Sequence, residues 1–232
     1  MNNVNIIIGI SMGLGKELFD DLREKEDTFG ITSKKSLANK NIIYLPYFDS
    51  NQNLDQLFNK LSLKLIEINF SSISVFFNSA LYDKKDDNYF DKIKIINVNY
   101  FNQMLIYEFL KNKFSDKKFK LIFFSSFEIY NNKSKLNFYK LSKQMFIEEY
   151  ESKKYDKNII IKLFIIGGIR TSTYNKNIST KKRSLLRKFL ASDLKKSKEY
   201  ILSETKKNVT KKYFYPARYY YLNILRKFIK YV

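Results

Sequence analysis

The chain has 232 residues, enough for one domain, and 44% hydrophobic with 17% aromatic residues to fill its core. It has neither Cys nor His, which excludes disulfides, thiol nucleophiles, Ser-His-Asp triads and the usual zinc sites and leaves chemistry to Tyr, Lys, Ser, Asn and carboxylates. The net charge is +20, no uncharged apolar stretch reaches the roughly eighteen residues a spanning helix needs, and Met1-Asn2-Asn3 runs into Val4 without the basic and apolar regions of a secretion signal, so a cytoplasmic location is expected.

In chain order, apolar and β-branched runs at Val4–Ile8, Phe29–Thr32, Ile42–Leu45, Ile73–Phe77, Phe119–Phe124 and Ile159–Ile165 read as buried strands. Between them, Glu17–Glu24, Leu54–Phe70, Ile93–Lys113 and Tyr139–Lys153 carry apolar residues at three- and four-residue spacing and read as helices. Such alternation implies right-handed crossovers, and predicts an α/β fold: a doubly wound Rossmann-type parallel sheet flanked by helices, in a single domain.

Three of only six glycines fall in Gly9-Ile10-Ser11-Met12-Gly13-Leu14-Gly15, between the first strand and a helix. There glycine permits a tight turn, close approach of backbone N–H groups to a pyrophosphate, and tight helix packing, so a dinucleotide is the expected ligand. Tyr-x-x-x-Lys pairs occur at Tyr107/Lys111, Tyr139/Lys143 and Tyr150/Lys154, about as many as composition alone produces. Only Tyr139 has a serine thirteen residues upstream, Ser126, at the end of a strand, and Asn99 lies forty residues before it.

The GxxxGxG spacing resembles that of the short-chain dehydrogenase/reductase family, in its compact branch, and the resemblance extends over roughly residues 4–175. Phe77-Asn78-Ser79-Ala80 is similar to the family's Asn-Asn-Ala-Gly, keeping the first Asn and the Ala. The resemblance implies Asn99, Ser126, Tyr139 and Lys143 as the catalytic set, with Tyr139 the general acid/base for hydride exchange between a nicotinamide and a carbonyl or alcohol. A phenol, of ordinary pKa about 10, needs help to exchange protons at neutral pH. Lys143, one helical turn along, is placed to lower it by charge while holding the nicotinamide ribose, as Ser126 binds the substrate oxygen. Asn99 would hold a relay water. Gly167-Gly168-Ile169-Arg170-Thr171 resembles the family's nicotinamide-carboxamide segment, keeping Gly167, Ile169 and Thr171 but with Ile166 for the usual Pro. The expected cofactor contacts are Gly9, Ser11, Met12, Gly13, Leu14, Gly15, Asn78, Ala80, Tyr139, Lys143, Gly167, Ile169 and Thr171.

After the second strand the sequence reads Thr32-Ser33-Lys34-Lys35. No carboxylate stands where one would bond a ribose 2′-hydroxyl, and Ser33, Lys34 and Lys35 suit a 2′-phosphate, so NADP(H) is expected in preference to NAD(H). Asp49, after the third strand, is a weaker candidate near the adenine.

Only six of the 43 basic residues are Arg, and the wealth of Lys, Asn, Ile, Phe and Tyr is what an AT-rich coding sequence produces. Charge nevertheless segregates: residues 176–232 hold 17 Lys/Arg against 3 Asp/Glu. Residues 1–175 are expected to form the dinucleotide-binding and catalytic part, and 176–232 a basic substrate lid and C-terminal amphipathic helix of the same domain. A basic lid around Lys181-Lys182-Arg183 favours an anionic substrate, for which surface-glycan metabolism is one setting. In the stretch 217–232, Tyr221, Leu222, Leu225, Phe228 and Ile229 oppose Arg218, Arg226, Lys227 and Lys230. That face is open to three readings: packing on its own domain or on the mate of a homodimer or homotetramer, peripheral contact with the inner membrane surface, and nucleic acid, disfavoured by the scarcity of Arg. The family's C-terminal strand has no clear counterpart in the sequence. The alternative function is a non-catalytic dinucleotide-binding sensor or scaffold.

Overall fold

The computed structural model describes residues 2–45, 51–82, 88–130, 137–170, 191–217 and 221. Seven strands form one parallel sheet: β1 (Asn3–Ile8), β2 (Asp27–Thr32), β3 (Ile42–Tyr44), β4 (Ser72–Phe77), β5 (Lys118–Ser126), β6 (Ile159–Ile166) and β9 (Lys211–Tyr215), in the order β3-β2-β1-β4-β5-β6-β9. A separate two-stranded ladder pairs β7 (Ile169–Arg170) with β8 (Ser192–Asp193). The order reverses direction between β1 and β4, and in open parallel sheets that switch point is where a crevice opens beyond the strand ends.

Strands buried on both faces need apolar residues at odd and even positions alike, which is why they read as continuous runs. Ile6 and Ile8 pack with Leu57, Leu61, Tyr107, Leu110 and Phe146 on one side. Ile7 faces the other way, onto Leu18, Phe19 and Ile201. The first side is covered by α2 (Asn51–Ile66), α4 (Asn102–Lys113) and α5 (Phe138–Lys153), the second by α1 (Gly13–Leu22) and α6 (Leu194–Thr205). The predicted doubly wound α/β arrangement is therefore present.

Two elements differ from expectation. The stretch read as one helix, Ile93–Lys113, is interrupted: α3 (Tyr89–Ile96), opened by an Asn88/Asp91 capping box, passes into a π-turn at Asn97–Phe101 before α4 begins. A π-turn keeps the apolar spacing nearly intact, so periodicity does not reveal it. The C-terminal strand without a clear counterpart is Lys211–Tyr215, paired to β6 with Phe164 opposite Tyr213. Its sequence, Lys-Lys-Tyr-Phe-Tyr, is half polar because it lies at the sheet edge.

Lys162 stands inside the apolar run of β6 and is fully buried. Its ammonium donates to Val209 O (3.1 Å) and Tyr213 Oη (3.4 Å), and loss of hydration draws its pKa down to about 8. No helix among the described residues is long and apolar enough to cross a membrane.

Candidate active site

The glycine loop is built by exclusion of side chains. A Cβ on Gly15 would lie 2.2 Å from Gly9 O and 2.3 Å from Asn78 Nδ2, and one on Gly9 would lie 2.6 Å from Ser79 Cα. Gly15 thus lets α1 start directly against the end of β1, and lets Asn78 Nδ2 donate to Gly9 O at 3.0 Å. Gly9 and Gly13 have φ of 93° and 61°, a region that L side chains enter at a cost. Leu14 anchors the start of α1 in the core, while Met12 is 54% exposed on the outside of the turn. Met12 contributes no side-chain cap to α1, and the first turn carries no acidic residue. The positive end of that helix therefore faces the crevice without a carboxylate of its own, as phosphate binding requires.

Ser11 Oγ lies 2.9 Å from Thr32 Oγ1, which also accepts from Lys34 N at 3.1 Å. This chain of bonds ties the glycine loop to the end of β2. Ser33 is half-buried there, and Lys34 and Lys35 are exposed beside it. The cradle fits a dinucleotide: its glycines let the loop close tightly on Ser79, Asn78 and Gly9, and it ends at a helix N-terminus with no acidic residue in its first turn.

The four expected catalytic residues come together at the carboxyl end of the sheet. Ser126 ends β5, and its Oγ accepts from Glu128 N at 3.2 Å, which fixes the turn beyond it. Tyr139 and Lys143 lie one turn apart on α5 and are 6% and 4% exposed. Lys143 Nζ stands 5.8 Å from the Tyr139 ring centre and 5.4 Å from that of Phe146. The Tyr139 ring stacks on that of Tyr82, and Ser126 and Tyr82 are the polar side chains that act most on its hydroxyl.

Lys143 is not among the largest influences on the Tyr139 phenol. Burial is the largest influence and pushes the phenol well above its ordinary value, Tyr82 adds to the rise, and Ser126 opposes it. Lys143 is itself drawn down to about 8 by burial. With that value the ammonium remains largely protonated at neutral pH and keeps its charge beside Tyr139.

Asn99 lies at the centre of a buried hydrogen-bond network. Fully buried in the π-turn, its Oδ1 accepts from Leu81 N (2.6 Å) and its Nδ2 donates to Leu81 O (2.9 Å) and Ser142 Oγ (3.1 Å). Its side chain thus has both donors engaged. Its main-chain carbonyl accepts from Gln103 Nε2 at 2.8 Å, and the same nitrogen reaches Ser79 O (3.1 Å) and Val98 O (3.0 Å). Asn99 and Gln103 together hold the segment Ser79–Leu81, including the exposed Ala80, in place.

Ser142, Gln103, Ser125 and Tyr82 belong to the site although no motif points to them. Ser142 Oγ donates to Tyr139 O at 2.7 Å, and Ser125 Oγ to Lys143 O at 2.8 Å. Small hydroxyl residues on an otherwise apolar helix face, such as Ser142, are the available signal. Beyond β6, Gly167 N donates to Tyr215 O at 2.8 Å and Gly168 O accepts from Ser192 N at 2.9 Å, while Ile169 enters β7. Thr171, Asp49, the basic segment 181–183 and most of the stretch 217–232 lie outside the described residues.

No family model and no curated protein sequence matches the chain. Solved structures do. Thermoplasma acidophilum aldohexose dehydrogenase superimposes with a TM-score of 0.68 at 13% identity, over 92% of each chain. A short-chain dehydrogenase from Burkholderia cenocepacia in complex with NADP gives 0.67 at 12% identity, over 95% of this chain and 91% of that one. A 4-hydroxyisoleucine dehydrogenase complexed with NADH gives 0.66 at 15% identity, over 92% of this chain and 96% of that one. The fold of this chain is that of the short-chain dehydrogenases/reductases.

Proposed function

We propose that the protein is an NAD(P)-dependent oxidoreductase of the short-chain dehydrogenase/reductase family, preferring NADP(H), which transfers hydride between the nicotinamide and a carbonyl or alcohol substrate. The observation that carries this reading is the convergence of Ser126, Tyr139 and Lys143 beside a glycine cradle that leaves no room for a Cβ. The NADP and NADH bound to two structures of the same fold support a nicotinamide cofactor here.

The bound cofactor supplies the hydride. Gly9, Gly13 and Gly15 admit its pyrophosphate to the N-terminus of α1, with Ser11, Met12 and Leu14 forming the rest of the loop. Asn78 and Ala80 border it on the β4 side, and Gly167, Ile169 and Thr171 are assigned to the nicotinamide end. Ser33, Lys34 and Lys35 bind the 2′-phosphate. Lys143 donates to the ribose hydroxyls, which restore the hydration its ammonium lost on burial.

Ser126 orients the substrate carbonyl by donating to its oxygen. Tyr139, kept protonated across neutral pH by burial, donates its phenolic proton to that oxygen as the alcohol forms. A phenol that holds its proton at neutral pH can give it up as the oxygen becomes basic, and the same group serves as base in the reverse direction. Asn99 orients the helix turn that carries Tyr139, and its carbonyl is the group nearest the role of relay. Phe101 and Leu105, both 48% exposed and four residues apart, offer an apolar strip for a second copy, in keeping with a homodimer or homotetramer.

The test compares wild type with Tyr139→Phe in NADPH oxidation against a carbonyl panel. Tyr139→Phe is expected to bind NADPH as wild type does and to lose about 100- to 10,000-fold in turnover. Equal turnover in both would reject Tyr139 as the acid.

A further inference from the structure

Tyr82 has no place in the reading above, yet it touches its central residue. Its ring stacks on that of Tyr139, with centres 4.3 Å apart and planes inclined by 27°. The pair is asymmetric: Tyr139 is 6% exposed and Tyr82 is 62% exposed. One face of Tyr82 covers the phenol of Tyr139, and the rest stands in solvent. Its backbone is not free to follow, because the preceding residue, Leu81, is held at both N and O by Asn99. Asn99 also holds Ser142, which bonds the carbonyl of Tyr139. The two stacked rings therefore hang from one buried amide, and what can move is the Tyr82 side chain.

A substrate carbonyl must reach the hydroxyls of both Ser126 and Tyr139. The Tyr82 ring already covers that same phenol, so the ring and an incoming carbonyl compete for one position. We propose that Tyr82 is the gate and specificity-determining residue of the active site: its ring closes Tyr139 to water until a carbonyl flanked by an aromatic or conjugated body displaces it, and it then provides the face against which that body lies. The inference rests on the oxidoreductase reading for its substrate and on the stacked geometry alone for the gate. A swung ring keeps the face that covered Tyr139 available for a flat partner, and offset stacking favours an aromatic one over an aliphatic one by about 2- to 12-fold. The groups around the Tyr139 hydroxyl are Tyr82 from the β4 loop, Ser126 from β5, Glu128 from the turn after it and Lys143 from α5.

The experiment uses the full-length protein with NADPH bound, as wild type, Tyr82→Phe and Tyr82→Ala. Exposure of the Tyr139 hydroxyl is read by N-acetylimidazole acetylation mapped by mass spectrometry. Turnover is read with para-nitrobenzaldehyde and with propanal, and nicotinamide fluorescence confirms that each variant binds NADPH. Tyr139 is expected to stay protected in wild type and Tyr82→Phe and to acetylate in Tyr82→Ala. Preference for the aromatic aldehyde, as the ratio of kcat/KM values, is expected to fall about 2- to 12-fold in Tyr82→Ala. The alkaline limb of the pH profile should move to lower pH in Tyr82→Phe, since the Tyr82 hydroxyl raises the Tyr139 pKa. Equal acetylation of Tyr139 in wild type and Tyr82→Ala overturns the gate, and an unchanged aldehyde preference overturns the specificity role. Protection lost only in Tyr82→Ala, together with no NADPH binding by wild type, supports the gate and rejects the oxidoreductase reading instead.

Discussion

Asn99 Nδ2 donates to Ser142 Oγ at 3.1 Å, across 43 residues of sequence, and joins the π-turn to the helix that carries Tyr139 and Lys143. Both side chains are fully buried, so neither can exchange its partner for water. Removing one leaves a buried bonding position of the other without its partner, which costs about 1–3 kcal/mol. Ser142→Ala is therefore expected to lower stability by that amount. Asn99→Ala, which also releases Leu81 N and O, should cost about 2–5 kcal/mol. A double-mutant cycle followed by urea unfolding should show coupling of at least about 0.5 kcal/mol; strict additivity would separate the two residues.

The glycine loop predicts a graded response. Gly15→Ala places a Cβ against Gly9 O and Asn78 Nδ2, backbone and a pinned amide that cannot yield, so α1 must move and NADPH affinity should fall at least about 100-fold. Gly13→Ala meets the φ of 61° and should cost about 1–2 kcal/mol of stability with a smaller loss of affinity. Isothermal titration with NADPH and thermal unfolding of each variant separate the two effects.

Much of this was legible in the sequence. Strands buried on both faces announce themselves as apolar runs, and six glycines in 232 residues make a loop holding three of them stand out. The order Asn99, Ser126, Tyr139, Lys143 was readable only through its resemblance to the spacing of the short-chain dehydrogenase/reductase family. Hidden were features that depend on side-chain direction or on edges: the π-turn that turns Asn99 inward, the half-polar strand Lys211–Tyr215, and Tyr82, one of 18 tyrosines, singled out only by where its ring lies. The burial that raises the Tyr139 pKa was hidden for the same reason, since charge along the helix is visible in sequence and the depth of burial is not.

Selectivity between cofactors should rest on Lys34 and Lys35. Both are exposed, so each charge contributes modestly; Lys34→Glu combined with Lys35→Glu should weaken NADPH binding about 10- to 100-fold and leave NADH binding nearly unchanged. The ratio of the two Kd values measures this directly, and a parallel loss of both would place the 2′-phosphate elsewhere.

Lys162 gives a pH dependence with a definite sign. Its folded pKa of about 8 lies below the ordinary 10.5, so between those values the unfolded chain binds more protons. Its contribution to stability then rises with pH through that window and is flat below it. Relative to wild type, Lys162→Met should lose stability by up to about 1 kcal/mol per pH unit as pH rises from 8 to 10.5. Urea unfolding of both proteins across that range reads the difference, and a constant difference would mean that Lys162 stays charged.

The account stands most directly on whether the glycine cradle holds a dinucleotide. Nicotinamide fluorescence, titrating NADPH and NADH into wild type and Gly15→Ala, decides it. Saturable binding to wild type, tighter for NADPH and lost in Gly15→Ala, is the predicted result. Absence of binding by wild type, or binding that survives Gly15→Ala undiminished, would contradict it.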